Sequence, residues 1–117
     1  MRDRAQSETF GRKAETIAAW WLRLHGWRII DQRLRIPQGE IDLIAARGKT
    51  LAFVEVKARK RGEDLASATD RYRMRRVIAT AQALSHSYAD TFNEMRIDLI
   101  LIAPWRLPVH LPDVVRP

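Results

Sequence analysis

Two apolar segments separated by a short glycine-containing turn most constrain the fold of this chain: EIDLIAA, residues 40–46, and TLAFVEVKA, residues 50–58. Their β-branched and aromatic residues predict two antiparallel strands joined through Arg47, Gly48 and Lys49. Each segment nevertheless carries carboxylates inside the pattern, where a core would take Val, Ile or Leu. The hairpin therefore predicts a sheet and, within it, a chemical site.

The turn also predicts which residues of the hairpin face each other. A two-residue type II′ turn that begins with Gly48 places Asp42 opposite Glu55 and Glu40 opposite Lys57. Directly opposed residues have Cβ atoms roughly 4.5–5.5 Å apart, so two carboxylates would meet unless a cation neutralises them. Mg²⁺ commonly takes one or two carboxylates together with waters and phosphate oxygens. The alternative is an ordinary ion pair between Glu40 and Lys57 at the end of the hairpin.

The remaining segments predict a single α/β domain spanning residues 1–117. Helical spacing of apolar residues predicts helices over 7–25 and 68–87, and strand-like composition predicts strands over 27–36 and 95–103. The last strand is apolar throughout, which is typical of a strand buried on both faces and parallel to an earlier one across a helical crossover. The tail, 104–117, contains four prolines and is predicted to be irregular.

Composition restricts the classes of function. The chain has 21 Lys and Arg against 14 Asp and Glu, a net charge of +7, which favours a polyanionic partner, although an inert basic surface is an alternative. There is no cysteine, and the three histidines lack ligand spacing, so a zinc site is not expected. The chain shows neither a secretory apolar run nor a membrane-spanning segment, so a cytoplasmic protein with no membrane partner is expected.

Two further groups of residues are candidates for the site. Glu15 lies at the border of the apolar stripe of the first helix, where it could lean over the sheet or remain solvated. A basic run flanks the acidic pair along the chain and is a candidate for binding nucleic-acid phosphates; it comprises Arg59, Lys60, Arg61, Arg71, Arg73, Arg75 and Arg76. Trp20, Trp21, Trp27 and Trp105 are predicted to pack in or against the core rather than to stack on bases.

The segments GRKAETIAAWWLRLHGW, GEIDLI and FVEVKAR, in this order and spacing, resemble the PD-(D/E)XK nuclease superfamily. Within it they resemble the small bacterial YraN family, which is similar to the Holliday-junction resolvases. The resemblance runs from about Phe10 to Ala103. It implies a restriction-endonuclease-like fold, in which a central mixed sheet of about four to five strands is flanked by helices.

The resemblance also implies roles for individual residues. Asp42 matches the motif aspartate, Glu55 the second acidic position, Lys57 the motif lysine, and Glu15 the helical glutamate of resolvase-like members. In such sites the two carboxylates and a main-chain carbonyl, here that of Val56, bind Mg²⁺ or Mn²⁺, and the lysine orients water for attack on a phosphodiester.

The implied function is metal-dependent endonuclease activity on structured or branched DNA, and cutting at a junction suggests a homodimer. This chain departs from its relatives in carrying Arg73 where a lysine is common, which suits a phosphate clamp better than a proton carrier. The alternatives are a nucleic-acid-binding protein that keeps the fold without cutting, and a structural partner in a protein complex.

Overall fold

The computed structural model describes the backbone of residues 4–59 and 71–117 and the side chains of residues 11–59 and 74–117. Its elements follow the predicted order, helix, three strands, helix and strand, with one further strand at the end. They are α1 (Arg4–Leu24), β1 (Arg28–Ile36), β2 (Gly39–Arg47), β3 (Thr50–Ala58), α2 (Arg71–Ser85), β4 (Glu94–Ile102) and β5 (Val109–Val115).

The five strands form one mixed sheet in the order β1-β2-β3-β4-β5. The first three are antiparallel neighbours, β4 runs parallel to β3 after the crossover through α2, and β5 returns antiparallel to β4. The hairpin has the predicted register, from Arg47 opposite Thr50 to Leu43 opposite Val54. Gly48 has a φ of 60°, which fits a type II′ turn because glycine adopts such angles without strain. The α/β fold is compatible with the restriction-endonuclease-like class.

Each face of the sheet packs against one helix, because alternate side chains of a strand point to opposite faces. On one face, Ala18 and Leu22 of α1 pack in a cluster with Val54 of β3. On the other face, Val77 and Ala81 of α2 lie in a cluster with Ile44, Phe53 and Ile97. The central strands are therefore covered on both sides. No helix in the described part of the chain is long and apolar enough to cross a membrane.

The prediction of an irregular tail is wrong, since residues 109–115 form β5. Pro112 is tolerated because β5 is an edge strand, where a residue without an N–H need not break a ladder of hydrogen bonds. The strand is fastened by the buried carboxylate of Asp98 on β4. This carboxylate lies 2.7 Å from Nε2 of His110 and accepts a hydrogen bond from the Asp113 N–H at 2.9 Å.

The polar partners of Asp98 account for its ionisation. Burial alone would raise the pKa of this carboxyl, but the hydrogen bonds from His110 and Asp113 and the charge of Arg96 outweigh burial and lower it. The Arg96 guanidinium approaches both carboxylate oxygens, at 3.1 and 3.3 Å. The ionised carboxylate thus joins β4 to β5.

The four tryptophans differ in exposure, and Trp21 is half-buried, with its ring centre 4.4 Å from that of His25. Trp27 is buried, as predicted, and the guanidinium of Arg47 lies 4.5 Å from its ring centre. The prediction of core packing is wrong for Trp20, which is 58% exposed on the outer side of α1, and for Trp105, which is 95% exposed in the loop between β4 and β5. Trp20 lies two residues before Leu22 and therefore on the opposite side of the helix, so helical spacing already indicated its exposure.

Candidate active site

At Asp42 the main-chain pairing between β2 and β3 ends, and a side-chain hydrogen bond takes its place. The recorded pairs end at Leu43 opposite Val54, and the next pair in this register would be Asp42 and Glu55. Oδ2 of Asp42 instead accepts a hydrogen bond from the N–H of Val56 at 2.8 Å. A carboxylate oxygen thus becomes the acceptor for a main-chain donor of β3, which fixes the Asp42 side chain at the edge of that strand.

Asp42 and Glu55 form the close acidic contact that the hairpin register predicts. The pKa of Asp42 is raised to about 8, chiefly by burial and then by the charge of Glu55, with a smaller contribution from a hydrogen bond between the two carboxyl groups. The hydrogen bond from Val56 acts in the opposite direction because it favours the ionised form. Near neutral pH, the pair therefore holds a proton that an exposed aspartate would release.

Lys57 lies beside this pair. Its Nζ is 3.4 Å from Oε1 of Glu55, and both residues are almost fully buried, at 2% and 3% exposure. Glu40 accepts a hydrogen bond from Arg35 of β1 at 3.3 Å. An ion pair between Glu40 and Arg35 therefore takes the place of the alternative ion pair between Glu40 and Lys57. The ammonium is consequently directed toward the acidic pair.

Glu15 reaches the same region from α1 through a residue that sequence analysis missed. Its Oε1 lies 2.9 Å from Nε of Arg33, and its charge contributes to the raised pKa of Asp42. The pKa of Arg33 is raised chiefly by the hydrogen bond and the charge of Glu15, and also by the charges of Glu40 and Asp42. Arg33 thus connects the predicted helical glutamate to the acidic pair.

Arg33 adopts an unusual backbone conformation, with a φ of 52° within β1. Its strand neighbours pair as Gln32 opposite Leu43 and Leu34 opposite Ile41, so Arg33 falls opposite Asp42. Asp42 therefore lies between Arg33 of β1 and the Val56 N–H of β3. No pattern in the sequence marks Arg33, because its position opposite Asp42 depends on the register shift between Ile29 and Asp31.

The carboxylates of Asp42 and Glu55 suit Mg²⁺ or Mn²⁺, which keep several waters, better than a structural metal ion that is enclosed by protein ligands. Among the side chains that the structure describes, no group of three or more His, Cys, Asp and Glu residues gathers as a metal site. Asp42 and Glu55 supply two carboxylates, which is the number of protein ligands that Mg²⁺ often uses with waters completing its shell. Val56 lies between Glu55 and Lys57 in the chain and is the residue whose carbonyl would complete the set.

Two of the predicted basic residues have exposed side chains, and one of them, Arg76, lies near the start of β2. Arg75 and Arg76 lie exposed on α2. A Cβ on Gly39 would be 3.9 Å from the Nη2 of Arg76 and 2.6 Å from the Thr80 Oγ1. Only glycine at position 39, which has a φ of 154°, permits this approach. The close packing of α2 on β2 thus brings the Arg76 guanidinium beside the strand that carries Asp42.

The other basic candidates are described less completely. Arg59 follows β3, where its N–H donates to the carbonyl of Ile102 at 2.8 Å and its Nη1 donates to that of Ala58 at 3.0 Å. Lys60 and Arg61 lie outside the described residues, as do the side chains of Arg71 and Arg73. Their roles in binding nucleic acid stay predictions.

Comparison with known proteins identifies the family of the chain. Residues 14–102 match the model of "Uncharacterised protein family UPF0102". A UPF0102 protein of Sphingopyxis alaskensis is 57% identical over 114 residues, which cover 97% of this chain and 98% of that protein. UPF0102 proteins of Rhizorhabdus wittichii and Erythrobacter litoralis are 56% and 50% identical, over 97% and 95% of this chain and 97% and 96% of their own lengths. The chain therefore belongs to the UPF0102 or YraN family, a family of the PD-(D/E)XK nuclease-like kind.

Proposed function

We propose that this protein is a metal-dependent endonuclease that hydrolyses phosphodiester bonds in structured or branched DNA, using Mg²⁺ or Mn²⁺. One observation carries the proposal: Asp42 is held in hydrogen-bonding contact with Glu55 by the N–H of Val56, and the Lys57 ammonium lies 3.4 Å from Glu55. Two carboxylates and a lysine at one point of a sheet are suited to metal-dependent hydrolysis of a phosphodiester.

Holding Asp42 beside Glu55 costs free energy when no cation is bound, and this cost supports metal binding. A partly buried carboxylate beside a second carboxylate ionises less readily, as the raised pKa of Asp42 indicates, and a bound cation would favour the ionised form. Asp42 and Glu55 would hold the metal through carboxylate oxygens, with the Val56 carbonyl as a third ligand. A bound Mg²⁺ or Mn²⁺ would polarise the phosphate and lower the pKa of a coordinated water.

Lys57 is suited to act on the water and on the phosphate. Its ammonium is kept in place by Glu55 and by burial, so little side-chain freedom is lost when a substrate binds. Such a fixed donor can orient an attacking water and stabilise negative charge that develops on the phosphate oxygens. Because it donates from a buried position, its effect is stronger than that of a solvated lysine.

The surroundings of the site favour a polyanionic substrate. Arg76 projects beside Gly39, three positions before Asp42, and Arg75 is exposed on the same helix. Together with a net charge of +7, these cations would neutralise phosphates flanking the scissile bond. A four-way junction offers two equivalent scissile positions, and we infer that a homodimer would cut both.

The proposal is tested by incubating purified protein with Mg²⁺ or Mn²⁺ and labelled four-way junction, flap, single-stranded and duplex DNA, and RNA. We expect wild-type protein to cleave a structured DNA only when a divalent cation is present. Lys57→Met and Asp42→Asn should each lower the cleavage rate by at least about 100-fold, the range typical of losing one electrostatic or acid–base group. Arg35→Ala, which removes an exposed cation paired with Glu40, should cleave within about threefold of wild type.

Two outcomes would contradict the proposal. If Lys57→Met cleaves as fast as wild type, the site is elsewhere. If no substrate is cut while DNA binds tightly and with strong salt dependence, the protein is a nucleic-acid-binding member that keeps the nuclease fold without catalysis.

A further inference from the structure

The loop between β4 and β5 holds an aromatic side chain in solvent. Trp105 is 95% exposed and Leu107 is 76% exposed, and Arg106 between them is exposed as well. The φ of Trp105 is 64°, an angle that bulky residues rarely adopt, and prolines at 104 and 108 limit the freedom of the loop on both sides. A tryptophan held outward in this way contributes almost no apolar burial to the domain. Its position therefore points to a ligand.

This loop lies at the same end of the sheet as the candidate active site. Lys57 pairs with Leu101, and Ala58 pairs with Ile102, the last residue of β4. Trp105 follows three residues later, before β5 returns along β4. From the spacing of neighbouring strands and the rise per residue, Trp105 is on the order of 10–15 Å from Lys57. At 3.4 Å per stacked nucleotide, that separation corresponds to about three or four nucleotides.

We propose that Trp105 stacks on an unpaired base of a DNA strand that runs into the active site, with Arg106 contacting the adjacent phosphate. This inference rests on the proposed nuclease function and specifies its substrate class. The substrate would carry unpaired bases a few nucleotides from the scissile bond, as forks, flaps and single-stranded segments do. Stacked bases in an uninterrupted duplex would leave Trp105 without a partner.

Charge favours nucleic acid over a protein as the ligand of this loop. Arg106 adjoins Trp105, Arg59 lies at the neighbouring end of β3, and the chain carries a net charge of +7. An aromatic face beside guanidinium groups is how single strands are commonly bound, because every base has a surface that stacks and every linkage carries a negative charge. A purely apolar protein interface would not need these cations.

The test measures binding without divalent cations, by fluorescence anisotropy on two labelled DNAs of equal length. One is a duplex paired throughout, and the other has a forked end with unpaired bases. Trp105→Ala should weaken binding to the forked DNA by about tenfold, as expected for one stacked base, and change binding to the duplex by less than about twofold. Trp105→Phe keeps an aromatic ring and should retain most of the affinity for the forked DNA.

Trp20→Ala is the matched control. Trp20 is also an exposed tryptophan, but it lies toward the end of α1, which approaches the opposite end of the sheet through the hydrogen bond from Arg47 to the carbonyl of His25. We expect this variant to bind both DNAs as wild type does. Forked DNA should quench the tryptophan fluorescence of wild type and of Trp20→Ala, and the quenching should be lost in Trp105→Ala.

Three results would overturn the inference. They are an unchanged affinity of Trp105→Ala for forked DNA, an equal loss on forked and duplex DNA, and a change of oligomeric mass in this variant without a change in affinity for DNA. Because binding is measured without metal, the outcome is separate from cleavage. A protein that binds forked DNA through Trp105 but never cuts contradicts the nuclease proposal alone, whereas cleavage together with unaltered binding by Trp105→Ala contradicts this inference alone. Wild-type protein that binds neither DNA contradicts both.

Discussion

Replacing Asp42 with asparagine should make the free protein more stable at neutral and alkaline pH. The folded protein retains a proton on Asp42 up to a pKa of about 8, whereas the unfolded chain releases it near the ordinary value of 3.8. Between these values the folded state binds more protons than the unfolded state, so its stability falls as the pH rises. Asparagine cannot ionise, and its side-chain oxygen can still accept the hydrogen bond from Val56.

The size of this effect follows from the width of the pH window. One pKa unit corresponds to about 1.4 kcal/mol, so between about pH 5 and pH 7.5 wild type should lose roughly 3 kcal/mol relative to Asp42→Asn. Urea denaturation of both proteins at several pH values measures the difference directly. Adding Mn²⁺ at the higher pH should restore stability to wild type and not to the variant, because only the ionised pair binds the cation strongly.

Asp90→Asn removes one carboxylate at an exposed position and serves as the control for the loss of one negative charge. A difference between wild type and Asp42→Asn that stays constant from about pH 5 to pH 7.5 would refute the reasoning, since it would mean that Asp42 titrates alike in both states. The acidic pair would then be a solvated feature with no need of a metal.

The other predictions concern the groups around the site. Arg33→Gly and Arg33→Ala both lose the ion pair with Glu15, but the glycine variant should be more stable by about 1 kcal/mol in urea denaturation, because only glycine adopts the φ of 52° freely. Equal stabilities would mean that this angle carries no strain. Gly39→Ala should lower the free energy of unfolding by roughly 1–3 kcal/mol, since its Cβ would lie 2.6 Å from the oxygen of Thr80; an unchanged midpoint would contradict the close approach. Asp98→Asn should cost on the order of 3 kcal/mol near pH 6, and this cost should shrink as the pH falls below about 4, because the unfolded chain then takes up a proton that folded Asp98, with its lowered pKa, does not. A pH-independent cost in urea titrations would exclude a role for the charge.

The local parts of the site could be predicted from sequence because a short turn determines them. Gly48 identifies the turn, the turn determines the register, and the register brings Asp42 to Glu55. Each step spans few residues and has few alternatives. The same reasoning predicted that Lys57 would lie beside the pair, and its Nζ is 3.4 Å from Glu55.

The parts that could not be predicted depend on contacts between distant residues. The carboxylate of Asp98 holds β5 in place through His110 and the Asp113 N–H, which lie 12 and 15 residues further along the chain. The prolines of this segment alone therefore predicted an irregular tail. Arg33 reaches the site only because the register of β1 shifts by one residue between Ile29 and Asp31. Such a bulge leaves no clear mark in composition.

The order of the strands has a consequence for how the protein folds. Asp42, Glu55 and Lys57 all lie on one hairpin, which can close within microseconds because its strands are joined by two residues. The parallel neighbour of β3 comes much later, since Thr50 pairs with Glu94, and closing so long a loop is slow. Until β4 arrives, the acidic pair remains in contact with water, where two ionised carboxylates cost little. The free-energy cost of burying two neighbouring carboxylates therefore arises late in folding, after the hairpin register that brings them together has formed.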